Sequence, residues 1–134
     1  MAELHPHEEA VIRKFFSHSR RLPFIRGLSG NAKNRTQTIS QICHFRDWVP
    51  GTAHQVPASD RHPAAVYQLL RAKGAPLLCH VMSEGDLDGR DMDLREALQE
   101  TFAHASYCAI LSCIPGHLAF YQDEYAEERY ILER

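Results

Sequence analysis

The chain of 134 residues lacks the long apolar segments that hold a protein in a membrane or direct its export. Its longest nearly uninterrupted apolar stretch, residues 107–114, is broken by Ser112 and is far shorter than the roughly 20 residues of a membrane helix. The first ten residues are polar and acidic, whereas a secretory signal is first basic and then apolar. These absences predict a soluble, cytoplasmic protein with no membrane partner.

Cysteine is scarce, and its four copies, at positions 43, 79, 108 and 113, form no C-x-x-C pair. A dense set of cysteines is typical of secreted disulfide frameworks, and paired C-x-x-C motifs are typical of zinc sites. In a cytoplasmic chain dispersed cysteines are expected to stay reduced, and a free cysteine is commonly buried like a small apolar residue. The sequence therefore predicts four reduced thiols in the core.

Standard metal-binding motifs are absent as well. The nine histidines never occur in H-x-x-x-H or H-E-x-x-H spacing. The Cys-His dipeptides at 43–44 and 79–80 suggest a Cys₂His₂ zinc site, but adjacent side chains of a strand point to opposite faces. Residues 84–89 resemble the first half of an EF-hand loop, yet Arg95 stands where that loop needs a bidentate glutamate. We therefore predict no metal and no other cofactor.

Common catalytic motifs fail in a similar way. Residues 27–36 offer backbone amides, Lys33 and hydroxyls that suit a phosphate, but their order matches neither a P-loop nor G-x-S-x-G. A small hydrolase or transferase with a cysteine nucleophile and a histidine base stays open as a second alternative. The bases considered are His80, His104 and His117, and the nucleophiles are Cys79, Cys108 and Cys113. No catalytic residue is assigned, and a protein without enzymatic activity is favoured.

The chain does have a strong separation of charge along its length. Residues 1–73 contain 11 Lys and Arg against 5 Asp and Glu, a formal charge of +6. Residues 74–134 contain 4 against 12, a formal charge of −8, within a total of −2. No acidic residue occurs between Ala10 and Arg46. Because segregated charge selects partners of the opposite sign, this basic segment is the candidate binding surface. Its candidate residues are Arg20, Arg21, Arg26, Lys33, Arg35 and Arg46.

The favoured function is a cytoplasmic interaction or regulatory domain whose basic half binds an acidic protein, or the acidic half of a second copy. The first alternative is a protein that binds nucleic acid or a phosphorylated ligand, since cations interleaved with aromatic rings suit phosphates and stacked bases. The rings in question are Phe15, Phe16, Phe24 and Phe45. The sequence pI of about 6.5 disfavours this alternative, because such domains typically lie above about 9.

Hydrophobic periodicity predicts helices at residues 8–18, 62–73 and 93–105. Short apolar runs predict strands at residues 77–82, 107–114 and 117–121, and an edge strand at 129–132. The first helix is expected to end before Pro23. Residues 22–36 are predicted to form a basic loop, or a short strand followed by a loop. Residues 36–48 are predicted to form a helix or a strand, with the helix favoured, and residues 83–93 an acidic linker.

Together these elements predict a single α+β domain over residues 1–134. Its expected form is a small mixed sheet of three to five strands, with two or three helices on one face and a C-terminal β-hairpin. Strand 77–82, helix 93–105 and strand 107–114 would form a βαβ unit if the two strands were parallel. The expected core is one cluster of apolar residues from the clearest elements: Leu69, Leu70, Leu94, Leu98, Phe102, Ile110 and Leu111.

Overall fold

A computed structural model describes residues 4–45, 47–104, 106–123 and 128–134 of the chain. The described residues form an α+β fold with one six-stranded antiparallel sheet. The helices are α1 (Pro6–Phe15), α2 (His18–Leu28), α3 (Ala32–Phe45), α4 (Pro63–Ala72) and α5 (Leu94–Ala103), with a 3₁₀ turn at Ala58–Asp60. The strands are β1 (Ala53–Gln55), β2 (Leu78–Ser83), β3 (Asp91–Asp93), β4 (Ala109–Ile114), β5 (Leu118–Gln122) and β6 (Arg129–Glu133). Among these residues no helix has both the length and the apolar composition needed to cross a membrane.

The strand order across the sheet is β1-β6-β5-β4-β2-β3. The expected C-terminal hairpin is confirmed, since β4 and β5 pair antiparallel across a turn in which Gly116 has a φ of 74°. The predicted mixed sheet of three to five strands is wrong, because the sheet has six strands and β2 and β4 also pair antiparallel, with His80 opposite Ser112. Strand β6 is not at the edge, because β1 pairs with it on its outer side. The acidic linker contains β3, which forms the opposite edge.

Five helices of the described residues cover both faces of the sheet, so the prediction of two or three helices on one face is wrong. The reason is that successive side chains of β4 point to opposite faces of the sheet. The neighbours Ile110 and Leu111 are both buried but belong to different cores. Ile110 packs in the core formed with α1, α2 and α3. Leu111 packs in the core formed with α4 and α5. A strand that is apolar on both faces needs a cover on each side.

The predicted basic loop at 22–36 is wrong, because most of it belongs to α2 and α3. Pro23 lies inside α2 and does not end a helix, since its missing N–H removes only one backbone hydrogen bond. The two helices approach closely at Gly27, where an added Cβ would lie 2.9 Å from Cβ of Thr38. Phe24 and Leu28 of α2 are buried beneath them. The favoured helix at 36–48 is confirmed as far as Phe45.

The helices expected at 62–73 and 93–105 and the strands expected at 77–82, 107–114 and 117–121 are confirmed within a few residues. The expected core is confirmed in part. Leu70, Leu94, Leu98 and Leu111 are fully buried in one cluster, with Leu69 and Phe102 packed against it. Ile110 is also buried but lies on the other face of the sheet.

All four cysteines are buried, as expected, but two of them are not thiols. Cys43 of α3 and Cys108, directly before β4, form a disulfide with a Cα–Cα distance of 5.9 Å. Cys79 and Cys113 are free. The prediction of four reduced thiols is therefore wrong. That prediction was drawn from a cytoplasmic location, which itself stays a prediction. Local sequence could not reveal the pair, because its partners are 65 residues apart.

Candidate functional site

The polar centre of the molecule is His80, in the middle of β2. Its side chain is 1% exposed and lies on the sheet face covered by α1. Nε2 of His80 lies 2.6 Å from Oε2 of Glu8, in the first turn of α1. Nδ1 lies 2.7 Å from Oδ1 of Asp91, the residue opposite His80 in β3. A carboxylate faces each ring nitrogen of His80, an arrangement that favours the imidazolium form, in which both nitrogens donate.

Glu8 joins His80 to a second cation, Arg35 of α3. Nη1 and Nη2 of Arg35 donate to the two carboxylate oxygens of Glu8 at 2.6 and 2.8 Å. Nε and Nη2 of the same guanidinium donate to Asp88, in the β2–β3 loop, at 2.8 and 2.9 Å. Asp88 also accepts the backbone N–H of Ser83 at 3.1 Å. The network therefore ties α1 and α3 to β2, to β3 and to the loop between them.

The network fixes the charge of its members. Burial alone would raise the pKa of Glu8, but the hydrogen bonds from His80 and Arg35 outweigh it and lower the pKa to about 2. Burial lowers the pKa of His80, but the hydrogen bonds to Glu8 and Asp91 outweigh it and raise the pKa above its ordinary value. The hydrogen bond from His80 lowers the pKa of Asp91. Three carboxylates thus face two cations, His80 and Arg35, so the five groups carry one net negative charge.

Two further histidines from the start of α1 complete the cluster. The ring of His5 stacks on that of His80 with a centroid distance of 3.7 Å and an interplanar angle of 16°. Nδ1 of His5 accepts the backbone N–H of His7 at 3.2 Å and caps α1. Nδ1 of His7 lies 2.7 Å from Oγ of the buried Ser112. Burial, followed by the charges of His80 and His5, lowers the pKa of His7.

Two cavities border this cluster. One has a volume of about 330 Å³ and is lined by His5, Glu8, Arg35 and His80 together with the turn between α2 and α3. The other has a volume of about 280 Å³ and is lined by His5, His7 and Asp91 among others. His5 lines both cavities, so both border the rim of the cluster.

Comparison with protein-family models, with curated proteins and with solved structures finds no match at a significant level. The comparisons assign no family. The functional argument for this protein therefore depends on its own residues and their geometry.

The five predicted cations that the structure describes are ion-paired, half-buried or exposed. Arg20 donates to Asp47 at 2.6 Å, and Arg35 is committed to Glu8 and Asp88. Arg21 is half-buried and donates through Nε to the carbonyl oxygen of Phe16 at 3.1 Å. The exposed cations are Arg26, in the last turn of α2, and Lys33, at the start of α3. Arg46 lies outside the described residues.

The sequence predicted aromatic rings interleaved with these cations. None of those rings whose side chain the structure describes lies at the surface. Phe15 and Phe16 are completely buried, and Phe24 is 2% exposed. All three belong to the core under α1, α2 and α3. The side chain of Phe45 lies outside the described part of the chain. The described rings are therefore not available for stacking on bases.

Among the described residues no cysteine is hydrogen-bonded to His80, His104 or His117, although Cys79 and Cys113 line one cavity with His5 and His7. Cys108 is bonded to Cys43, so it holds no free thiol. Burial raises the pKa of Cys79 to about 12 and also raises that of Cys113, so both stay neutral. Cys79 packs with α4 and α5, on the sheet face opposite to His80. This agrees with the argument that adjacent residues of this strand cannot share one site.

Sequence reasoning did not find the network around His80. One signal was present in α1, where Glu8 has helical spacing with Val11, Ile12 and Phe15 and so lies on the apolar face. Another was a histidine inside the apolar strand 77–82, because a buried imidazole needs a hydrogen-bond partner. Neither signal indicates which residue the buried Glu8 or His80 pairs with. The partners come from other elements, and only the packing brings them together.

Proposed function

We propose that this protein is an interaction domain that binds an acidic protein partner through its basic hairpin, the α2–turn–α3 segment at residues 18–45. The observation that carries the proposal is the pair Arg26 and Lys33. Both side chains are exposed, Arg26 before the α2–α3 turn and Lys33 after it. Neither forms an ion pair within the described residues. The hairpin lies on an outer layer of the fold and contains no acidic residue that could compete for these cations.

The position of Lys33 supports a role in binding over a role in stability. A helix N-terminus carries a partial positive charge, so an acidic residue there stabilises a helix by about 0.3–1 kcal/mol and a cation opposes it. Helices α1 and α5 have acidic residues in the first turn, whereas α3, like α2 and α4, has none, and α3 carries Lys33 there. A partner carboxylate beside Lys33 would interact favourably with both the ammonium group and the helix terminus.

The side chains around these cations indicate whether the partner is a protein or a nucleic acid. Binding of single-stranded nucleic acid relies on aromatic rings that stack on bases, and Phe24, the phenylalanine of the basic hairpin whose side chain the structure describes, is buried. An acidic protein surface requires only complementary charge and shape. We therefore favour an acidic protein over RNA or DNA.

The proposal is tested with fluorescent poly-L-glutamate as the probe, by anisotropy at low and at high salt. The double variant Arg26→Ser and Lys33→Ser should bind about fivefold more weakly at low salt, because two exposed ion pairs contribute about 1 kcal/mol together. The matched control is Arg90→Ser with Arg95→Ser, two exposed cations outside the hairpin. The control removes the same total charge and should bind like the wild type.

Three results would overturn the proposal. One is an equal loss of affinity in both double variants, which would mean that only the total charge matters. Another is tighter binding to an oligouridine of equal charge than to poly-L-glutamate, which would favour nucleic acid. The third is salt-sensitive self-association in light scattering that the Arg26 and Lys33 changes abolish, which would make a second copy the partner.

A further inference from the structure

We infer that His5, His80 and Asp91 form a binding site for a divalent transition-metal ion such as Zn²⁺. One ligand atom from each of these residues lies within 4.8 Å of the other two. Nδ1 of His80 is 2.7 Å from Oδ1 of Asp91, and Nε2 of His5 is 3.5 Å from the same oxygen. Ligand atoms around a tetrahedral zinc ion with bonds of about 2.0–2.1 Å are about 3.3 Å apart, a value between these two distances.

Hydrogen bonds to its neighbours orient the ring of His80 for metal binding. Glu8 accepts from Nε2 of His80 and is itself held as a carboxylate by Arg35. A carboxylate on the far nitrogen of a histidine ligand fixes the tautomer and orients the ring toward the metal. With Nε2–H directed at Glu8, Nδ1 is the nitrogen that faces Asp91. Glu8 is thus a positioning residue for the ion.

The charge of the cluster also favours a dication. Glu8, Asp88 and Asp91 carry three negative charges against two positive charges on Arg35 and His80. A divalent ion that binds Nδ1 of His80 displaces one proton from that nitrogen, which leaves as a solvent proton. The cluster then changes from one net negative charge to neutrality. Two imidazole nitrogens select transition ions over Mg²⁺ and Ca²⁺, which prefer oxygen ligands.

The site is open to solvent on the side where the ion would enter. Asp91 is 63% exposed and His5 is 34% exposed, while His80 closes the inner side. An ion lies close to the plane of each imidazole that binds it, so the stacked rings of His5 and His80 cannot both bind as they stand. The ring of His5 must turn out of the stack and release the N–H of His7, to which it has a single hydrogen bond of 3.2 Å. Water can fill the fourth position.

The test uses the purified full chain, freed of metal with EDTA and dialysed, and titrated with Zn²⁺ in a calorimeter. We expect one ion per chain and a melting temperature that rises with Zn²⁺. Two variants remove one ligand each, Asp91→Asn and His5→Ala, and each should weaken binding by about tenfold or more. Absorption of Co²⁺ in the same site provides a spectroscopic readout, which the two variants should change.

Two controls match the two variants. Asp86→Asn removes the same charge from an exposed position in the nearby β2–β3 loop. His62→Ala removes a histidine that caps α4 by accepting the N–H of Ala65, just as His5 caps α1. Both controls should bind Zn²⁺ within about twofold of the wild type, since neither is near the site.

The inference is overturned if the wild type binds no Zn²⁺ at micromolar concentration. It is also overturned if Asp91→Asn and His5→Ala bind as the wild type does, because the ion would then lie on other histidines. Equal binding of Mg²⁺ would contradict the proposed ligand set. If His5→Ala lowers the melting temperature more than His62→Ala does, its weaker Zn²⁺ binding could reflect lost stability. The Zn²⁺ affinity of the exposed variant Asp91→Asn then decides the test alone.

Discussion

Nε2 of His80 donates a 2.6 Å hydrogen bond to Glu8, a residue 72 positions earlier in the chain. The same carboxylate accepts two hydrogen bonds from Arg35. One acidic side chain, 2% exposed, therefore binds two cations from two other elements. Because such groups are stable in the interior only as a set, loss of one member should affect the whole fold.

We predict that Glu8→Gln lowers the free energy of unfolding by about 3 kcal/mol, since removal of one partner of a buried ion pair leaves the other charge uncompensated. The measurement is urea denaturation in the presence of EDTA. The control is the neighbouring Glu9→Gln, because Glu9 is about half exposed and, among the described residues, pairs with Arg13 on the helix surface. Its loss should cost less than about 0.5 kcal/mol. Equal losses in the two variants would contradict the role given to Glu8.

The disulfide between Cys43 and Cys108 should contribute strongly to stability. It links residues 65 positions apart, and closing a loop of that length lowers the entropy of the unfolded chain. The double variant Cys43→Ser with Cys108→Ser should therefore be less stable by about 4 kcal/mol. Dithiothreitol should destabilise the wild type by a similar amount and leave the double variant unchanged. A wild type that is insensitive to dithiothreitol would show that the bond is not formed.

The core assignment is tested by two leucines in different surroundings. Leu98 of α5 is fully buried against β2 and β4, whereas Leu22 of α2 is 56% exposed. Leu98→Ala should lower the free energy of unfolding by about 2–5 kcal/mol, because it removes apolar contacts and leaves a cavity. Leu22→Ala should change it by less than about 0.5 kcal/mol. Denaturant unfolding of both variants measures the difference, and a small effect at Leu98 would contradict its place in the core.

Strong local patterns allowed much of the secondary structure to be predicted. Helix α4 begins at Pro63 and ends before Gly74, and these two residues mark its ends in the sequence as well. Asp93 caps α5 by accepting the N–H of Glu96, and two acids three residues apart before an apolar run are a sequence pattern of such a cap. Such signals work because a cap and its helix are neighbours in the chain. The α2–α3 hairpin was missed because Pro23, Gly27 and Gly30 resemble loop residues until the close packing of two helices explains Gly27.

The sequence alone determined the separation of charge, the burial of the cysteines and the main helices and strands, since each depends on composition or on short-range periodicity. Only the tertiary structure decided that Cys43 bonds to Cys108 and that helices cover both sheet faces. It also decided that Arg35 is committed to Glu8 and Asp88 while Arg26 and Lys33 stay exposed. The physical reason is that a charge or a thiol has no local preference for one distant partner over another. Those choices are made by the packing of whole elements, which no short stretch of residues contains.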